Sequence, residues 1–211
     1  MSRKFREFGE GIAGAFLMAV AFITPFLKYW REWGATDDEV KRTLPGDDIV
    51  PNPKGGYTQA ITIRCSRDDV WPWVAQVGQG RGGFYSYDFL ENLVGCDIHT
   101  VDRIVPEFQH DENSEGIRLH REMPPIPIAA LEPERALLFG PKMEPDIPVS
   151  WLFYLDEIDE NTTRLISRWS FDYEPGLLRT VAYRYILVPI ACIMQRKMLL
   201  GIRKRAENMK S

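Results

Sequence analysis

VWPWVAQVGQGRGGFYSYDFLENLVGCDIHTVDRIVPEFQ, Val70–Gln109, combines two short apolar-periodic segments, a glycine cluster and most of the residues able to do chemistry. Val70, Val74 and Val77 recur at helical spacing, so a helix with one buried face is expected, entered through Ser66 with Asp69 three residues on as a capping box. Pro72 falls in its early turns, where a missing N–H is tolerated better than in mid-helix. The helix should stop at Gly78. Gly80, Gly82 and Gly83 follow, where a side chain would hinder positive φ or close approach of a ligand. A second short helix is expected after Ser86, with Leu90, Leu93 and Val94 as its stripe and Gly95 as its stop.

Outward from this centre the periods change. Upstream, Tyr57–Cys65 alternates Ala60, Thr62 and Arg64 against Ile61, Ile63 and Cys65, the pattern of a half-buried strand. Downstream, Gly116–Met123, Ile126–Glu132, Ala136–Gly140, Val149–Ile158 and Thr162–Tyr173 read as five more strands, with Asp159-Glu160-Asn161 turning the last hairpin. No helix separates them, so the sheet should be antiparallel and the class α+β. From Gly176 to Asn208 the period is helical, with Pro189 inside it and Arg196, Lys197, Arg203, Lys204 and Arg205 on its polar face.

The N-terminal 35 residues differ in kind. Gly11–Leu27 contains no charged residue and is apolar all round. Its 17 residues would reach roughly 25 Å at 1.5 Å per residue, just short of a bilayer core, and Tyr29, Trp30 and Trp33 follow as candidate interfacial aromatics. A single-pass anchor with a cytosolic body is the expectation, against a signal peptide or a helix buried in the body. Residues 1–35 then form the anchor, 36–56 a Pro/Gly/Asp-rich linker and 57–211 the domain. Charge divides similarly: residues 1–35 carry 5 Lys/Arg and 3 Asp/Glu, residues 176–211 carry 8 and 1, and the body between carries 13 and 26. So acidic a body argues against nucleic acid and leaves the basic ends to face an anionic membrane. Cys65, Cys96 and Cys192 are isolated and odd in number, which fits a reducing compartment.

The tokens WGAT (Trp33–Thr36), LPGDDIVP (Leu44–Pro51), VWPWVAQVGQGRGGFYSYDFLENLVG (Val70–Gly95), DIHTVDRIVPEFQ (Asp97–Gln109) and RKMLLGIRKRAE (Arg196–Glu207) resemble a bacterial branch of the SRPBCC superfamily, which includes START, Bet v 1 and polyketide cyclase relatives. The resemblance spans residues 33–208. It implies a helix-grip fold, a curved antiparallel sheet around a long C-terminal helix, with an apolar cavity for lipids, polyketides or other hydrophobic molecules. It implies no single reaction.

Among candidate chemistries, no histidine spacing supports a metal and no cofactor motif stands: Gly78, Gly80 and Gly83 spell GxGxxG, but after a helix where a dinucleotide site needs a strand. Asp88, Glu91 and His99 are the candidate acid–base groups if they share a cavity mouth, against their use as helix-terminal charges. Arg81, set among glycines, and Tyr85 and Tyr87 are read as a polar gate. Trp71, Trp151, Phe153, Trp169 and Phe171 with Ile190 and Met194 are the candidate apolar lining. The favoured function is a membrane-anchored carrier or sensor of a hydrophobic or lipid-like ligand. A polyketide cyclase- or hydrolase-like enzyme and an interaction module with a filled core are the alternatives.

Overall fold

A computed structural model of the protein describes residues 9–15, 27–143 and 146–209. Helices α1 (Leu27–Arg31) and α2 (Asp37–Lys41) precede strand β1 (Gly55–Ile63). Helices α3 (Arg67–Ala75) and α4 (Asp88–Leu93) follow, then β2 (Ile128–Glu132), β3 (Ala136–Phe139), β4 (Lys142–Met143), β5 (Ile147–Asp159) and β6 (Thr162–Phe171). The chain ends in one helical run made of α5 (Leu177–Val181), a π-helical turn (Ala182–Leu187) and α6 (Val188–Met209). The sheet order is β1-β6-β5-β3-β2, antiparallel throughout, with β4 pairing to β5. This is the helix-grip arrangement.

Local chemistry explains the elements. Ser66 accepts from the Asp69 N–H and caps α3, which stops at Ala75, short of Gly78. The β5–β6 hairpin closes on Asp159, whose carboxylate accepts from the Asn161 N–H at 2.9 Å. Gly116–Met123 is not a strand: only Ile117 bridges, to Ile126, and the segment turns at His120–Met123. Pro189 has no N–H for the Tyr185 carbonyl, and one turn earlier the ladder widens, with the Val188 N–H reaching Tyr183.

Alternation gives the sheet two covered faces. Ile61, Ile63, Leu155 and Leu165 share the main core with Cys192, Leu199, Ile202 and Ala206 of α6. Ala60, Leu138, Leu152 and Ile166 on the other face form a second cluster with Leu44. Residues 36–56, expected as a linker, therefore lie packed on the sheet. Two β6 arginines hold them there. Arg164 makes a two-pronged pair with Glu39, at 2.7 and 2.8 Å, and buried Arg168 donates to the carbonyls of Glu39, Val40 and Arg42 and to the Asp47 carboxylate. The folded body also begins earlier than Tyr57: the Trp30 carbonyl accepts from Gln59 and the Ala60 N–H donates to the Trp33 carbonyl.

Most of the expected anchor, residues 16–26, lies outside the described residues. Residues 9–15 are helical and touch the body, Gly11 against Phe89 and Gly14 against Tyr87, so closely that a Cβ on either would overlap the ring. Of the three aromatics expected at an interface, Tyr29 is exposed, whereas Trp30 and Trp33 pack on the core and Trp33 lies under the Arg196 guanidinium. Among the described residues one helical run, Leu177–Met209, is long and apolar enough to cross a membrane, although its second half is the helix gripped by the sheet.

Replacing Arg168 by Met would keep the stem and strip the donors from three carbonyls and one carboxylate. A loss of about 3–5 kcal/mol is expected, as for breaking a buried ion pair. Arg121→Ala, at an exposed pair 3.6 Å apart, should stay within about 0.5 kcal/mol. Urea denaturation of both variants checks the contrast.

Candidate functional site

The aromatics expected to line a cavity pack on one another beneath the helix. Trp151 lies 4.8 Å from Trp169, 5.0 Å from Phe153 and 6.2 Å from Phe139 between ring centres. Its indole N–H donates to Ser167 at 3.2 Å. Phe171 packs on Tyr173 and Tyr183, Trp71 sits at the margin of the same core, and Ile190 and Met194 are half-buried. The space assigned to a ligand thus holds rings.

An open volume lies to the side. A groove of about 580 Å³ runs between the 85–89 segment, Thr100 and Asp102, and the last turns of α6. Trp73, Tyr85 and Tyr87 line one side; α6 supplies the other, with Leu200 among Lys197, Lys204 and Arg205. Tyr85 is placed by constraint, since its φ of +53° is a left-handed conformation unfavourable for a side-chain-bearing residue. The Gln76 amide, donating to the Tyr85 hydroxyl at 2.9 Å, and the Thr100 hydroxyl, accepting from its N–H at 3.3 Å, hold it. Arg205 stacks over the Tyr85 ring at 4.7 Å and pairs with Asp102 at 2.6 Å. Lys197 lies over Tyr87 and pairs with Glu10 at 2.9 Å. Lys204 is exposed and makes no ion pair with a described residue.

The expected site residues separate accordingly. Tyr85, Tyr87 and Asp88 line the groove together. Asp88 is occupied, accepting from the Thr100 N–H at 2.8 Å and its hydroxyl at 2.6 Å. His99 is 80% exposed and pairs with Asp97. Arg81 is turned away, donating to the Phe108 and Gln109 carbonyls and to the Ser114 hydroxyl. It buttresses a loop beside a separate depression that Tyr85 and Tyr87 do not line. The basic groove residues had been legible only as a polar helix face, and Gln76 carried no signal.

Glu91 is buried, and neither carboxylate oxygen has a hydrogen-bond partner among the described residues. Burial, with the charge of Asp88 adding to it, raises its pKa to about 8. His110 is the converse: burial, and then the nearby Arg81 charge, lower it to about 4.

These shifts have opposite signs in stability. Glu91 keeps its proton in the native state where the unfolded chain, at its ordinary 4.5, has lost it, so its contribution is full below pH 4.5 and disappears as pH rises toward 8. His110 contributes above its unfolded 6.5 and loses that contribution as pH falls toward 4. Above pH 6.5 only Glu91, of the two, has a slope. Stability should fall there by up to about 1.4 kcal/mol per pH unit, and Glu91→Gln should flatten the fall. Denaturant titrations at half-unit steps from pH 6.5 to 8 read this directly; an unchanged slope in the variant would assign it elsewhere.

No family model and no curated protein matches the chain. Among solved structures it is similar to a conserved protein from Geobacillus kaustophilus, 13% identical over 72% of this chain and 95% of that one, TM-score 0.38. A conserved protein of unknown function from Enterococcus faecalis is 12% identical over 74% and 84%, TM-score 0.30. A Polyketide_cyc-like protein from Corynebacterium glutamicum is 17% identical over 77% and 96%, TM-score 0.36. In its own topology, one strand, two helices, an antiparallel run and a long helix gripped by the sheet, this chain has a helix-grip fold.

Proposed function

We propose that the protein is a membrane-associated carrier or sensor of a lipid-like amphiphile with an anionic head, bound in the groove beside α6. The observation that carries this reading is Lys204, a cation without a carboxylate partner among the described residues, at a groove whose opposite wall is Trp73, Tyr85 and Tyr87. A volume of about 580 Å³ is ample for a small amphiphile. Charge at one wall and rings at the other suit a head and a tail. The membrane component rests on the charge-free run Gly11–Leu27 and the excess of Lys and Arg at both ends of the chain. Asp88, Glu91 and His99 do not converge on the groove, so binding is favoured over turnover.

The test is a paired titration of a long-chain fatty acid and the matching alcohol against wild type and Lys204→Ala. Affinity for the acid should drop about three- to tenfold, ~0.7–1.4 kcal/mol, with the alcohol unaffected. Native mass spectrometry of the purified protein should show a co-purifying lipid. Equal losses for both ligands would remove Lys204 from the head-group role. Failure of either ligand to bind wild type, with no co-purifying lipid, would favour an interaction module instead.

A further inference from the structure

Residues 177–187 leave most of their apolar surface uncovered: Leu177 is 86% and Leu178 82% exposed, and Val181, Tyr185, Ile186 and Leu187 are exposed as well. Leu178 and Val181 share one face at i and i+3, and Tyr185, Ile186 and Leu187 continue the exposed apolar surface through the π-helical turn. The turn is nevertheless held in place, because Tyr183 stacks on Tyr173 at 4.7 Å and packs at a tilt against Phe171 at 5.5 Å. A fixed, uncovered apolar face calls for an occupant.

What lies beside it identifies the occupant. A cleft of about 170 Å³ is lined by Lys28, Arg31, Lys54 and Arg184, with Glu32 as its one acid and Leu27 at its edge. Arg31 uses its Nε on the Gly56 carbonyl and Lys54 is paired with Asp172. Lys28 is 78% exposed and reaches Glu32 only at 3.5 Å, and Arg184 makes no ion pair with a described residue. Leu27 is also the last residue of the charge-free run, so the end of that run and the exposed helical segment, through Arg184, meet at one basic cleft. Arginines flanking an apolar stripe, with exposed Tyr29 and Tyr185 nearby, are the composition of a helix lying in a bilayer interface. A second copy placed symmetrically would bring the same four cations against these.

Extending the membrane reading above, on which this rests, we propose that residues 177–187 dock flat onto an anionic bilayer and that the cleft of Lys28, Arg31, Lys54 and Arg184 takes a lipid phosphate. Docking sets the body against the surface and leaves the groove at the far end of α6 outside it. Anchoring by residues 11–27 alone would need no particular lipid. Docking requires an anionic one.

The full-length chain is reconstituted by detergent removal into vesicles of phosphatidylcholine alone, or with about a third phosphatidylglycerol. Flotation reads anchoring, and hydrogen–deuterium exchange of residues 177–187 reads docking. Exchange should be about tenfold slower in the anionic vesicles than in the neutral ones. Leu178→Asp and Arg184→Glu should each abolish that difference while the peptide around Leu199 stays protected, which shows the fold intact. A chain that floats with both vesicles but shows equal exchange in them overturns the docking proposal and leaves the membrane reading standing. A chain that floats with neither overturns both.

Discussion

The Gln76 carboxamide sits at the end of α3, fully buried, and uses all of its capacity. Its NH₂ donates to the Tyr85 hydroxyl and the Arg103 carbonyl, and its oxygen accepts from the Val105 N–H and the Gln109 side chain, all at 2.9–3.1 Å. A buried amide left half-satisfied would cost more than an apolar residue there. The amide therefore ties the end of α3 to Tyr85, to the 103–105 segment and to Gln109. Tyr85 is the member through which this reaches the rest of the molecule. Held left-handed, it presents its ring to Trp73 and to the Arg205 guanidinium, and its carbonyl presses on α6 where Gly201 has no side chain. A Cβ at residue 201 would come within 2.5 Å of that carbonyl. The close approach of the helix to Tyr85 at Gly201, and with it one wall of the groove, is supported by the Gln76 amide through the Tyr85 hydroxyl.

The helix itself imposes a second constraint. The run from Leu177 to Met209 is 33 residues, about 50 Å at 1.5 Å per residue, and its buried residues begin only at Val188. The first third therefore overhangs. Pro189 stands at the boundary, and the π-helical turn before it carries Tyr183 onto the Phe171–Tyr173 pair. The turn is thus fixed at the boundary between a gripped helix and a bare one. One continuous element consequently serves two environments, sheet and groove at one end and the basic cleft at the other.

Much of this architecture could be read from residue order because period is a local property. The alternation of Ile61 with Thr62 and of Phe153 with Tyr154, the Asp159–Asn161 turn and the stripe of α6 each need only their neighbours in the chain. What escaped depends on partners distant in sequence. Gly116–Met123 alternates well enough, but no strand lies beside it to accept a ladder beyond Ile117. Arg81 among glycines looked like a ligand's counter-charge, yet the Phe108 and Gln109 carbonyls lie within its reach 27 and 28 residues on. The 36–56 segment has the composition of a linker because it needs no apolar core of its own. Its place is held by Arg164 and Arg168, more than a hundred residues later. The groove was hidden for the same reason: its rings come from residues 73–87 and its cations from residues 197–205.

Asp88 and Glu91 show how far two acids in one short helix can diverge. Asp88 stays at the first turn of α4, where the Thr100 N–H and hydroxyl satisfy an anion. Glu91, three residues on, is enclosed without a donor among the described residues, and ionising it would place a second negative charge beside the first. A carboxyl with its ionisation pushed upward, near a second one, is raw material for acid–base catalysis. Such a pair works only when both groups can reach one substrate atom. Here Asp88 touches the groove but has committed its oxygens to Thr100, while Glu91 keeps its oxygens free but does not line the groove. The raised pKa of Glu91 is therefore a consequence of packing α4 against the body, and the groove itself offers Lys204 and the facing rings.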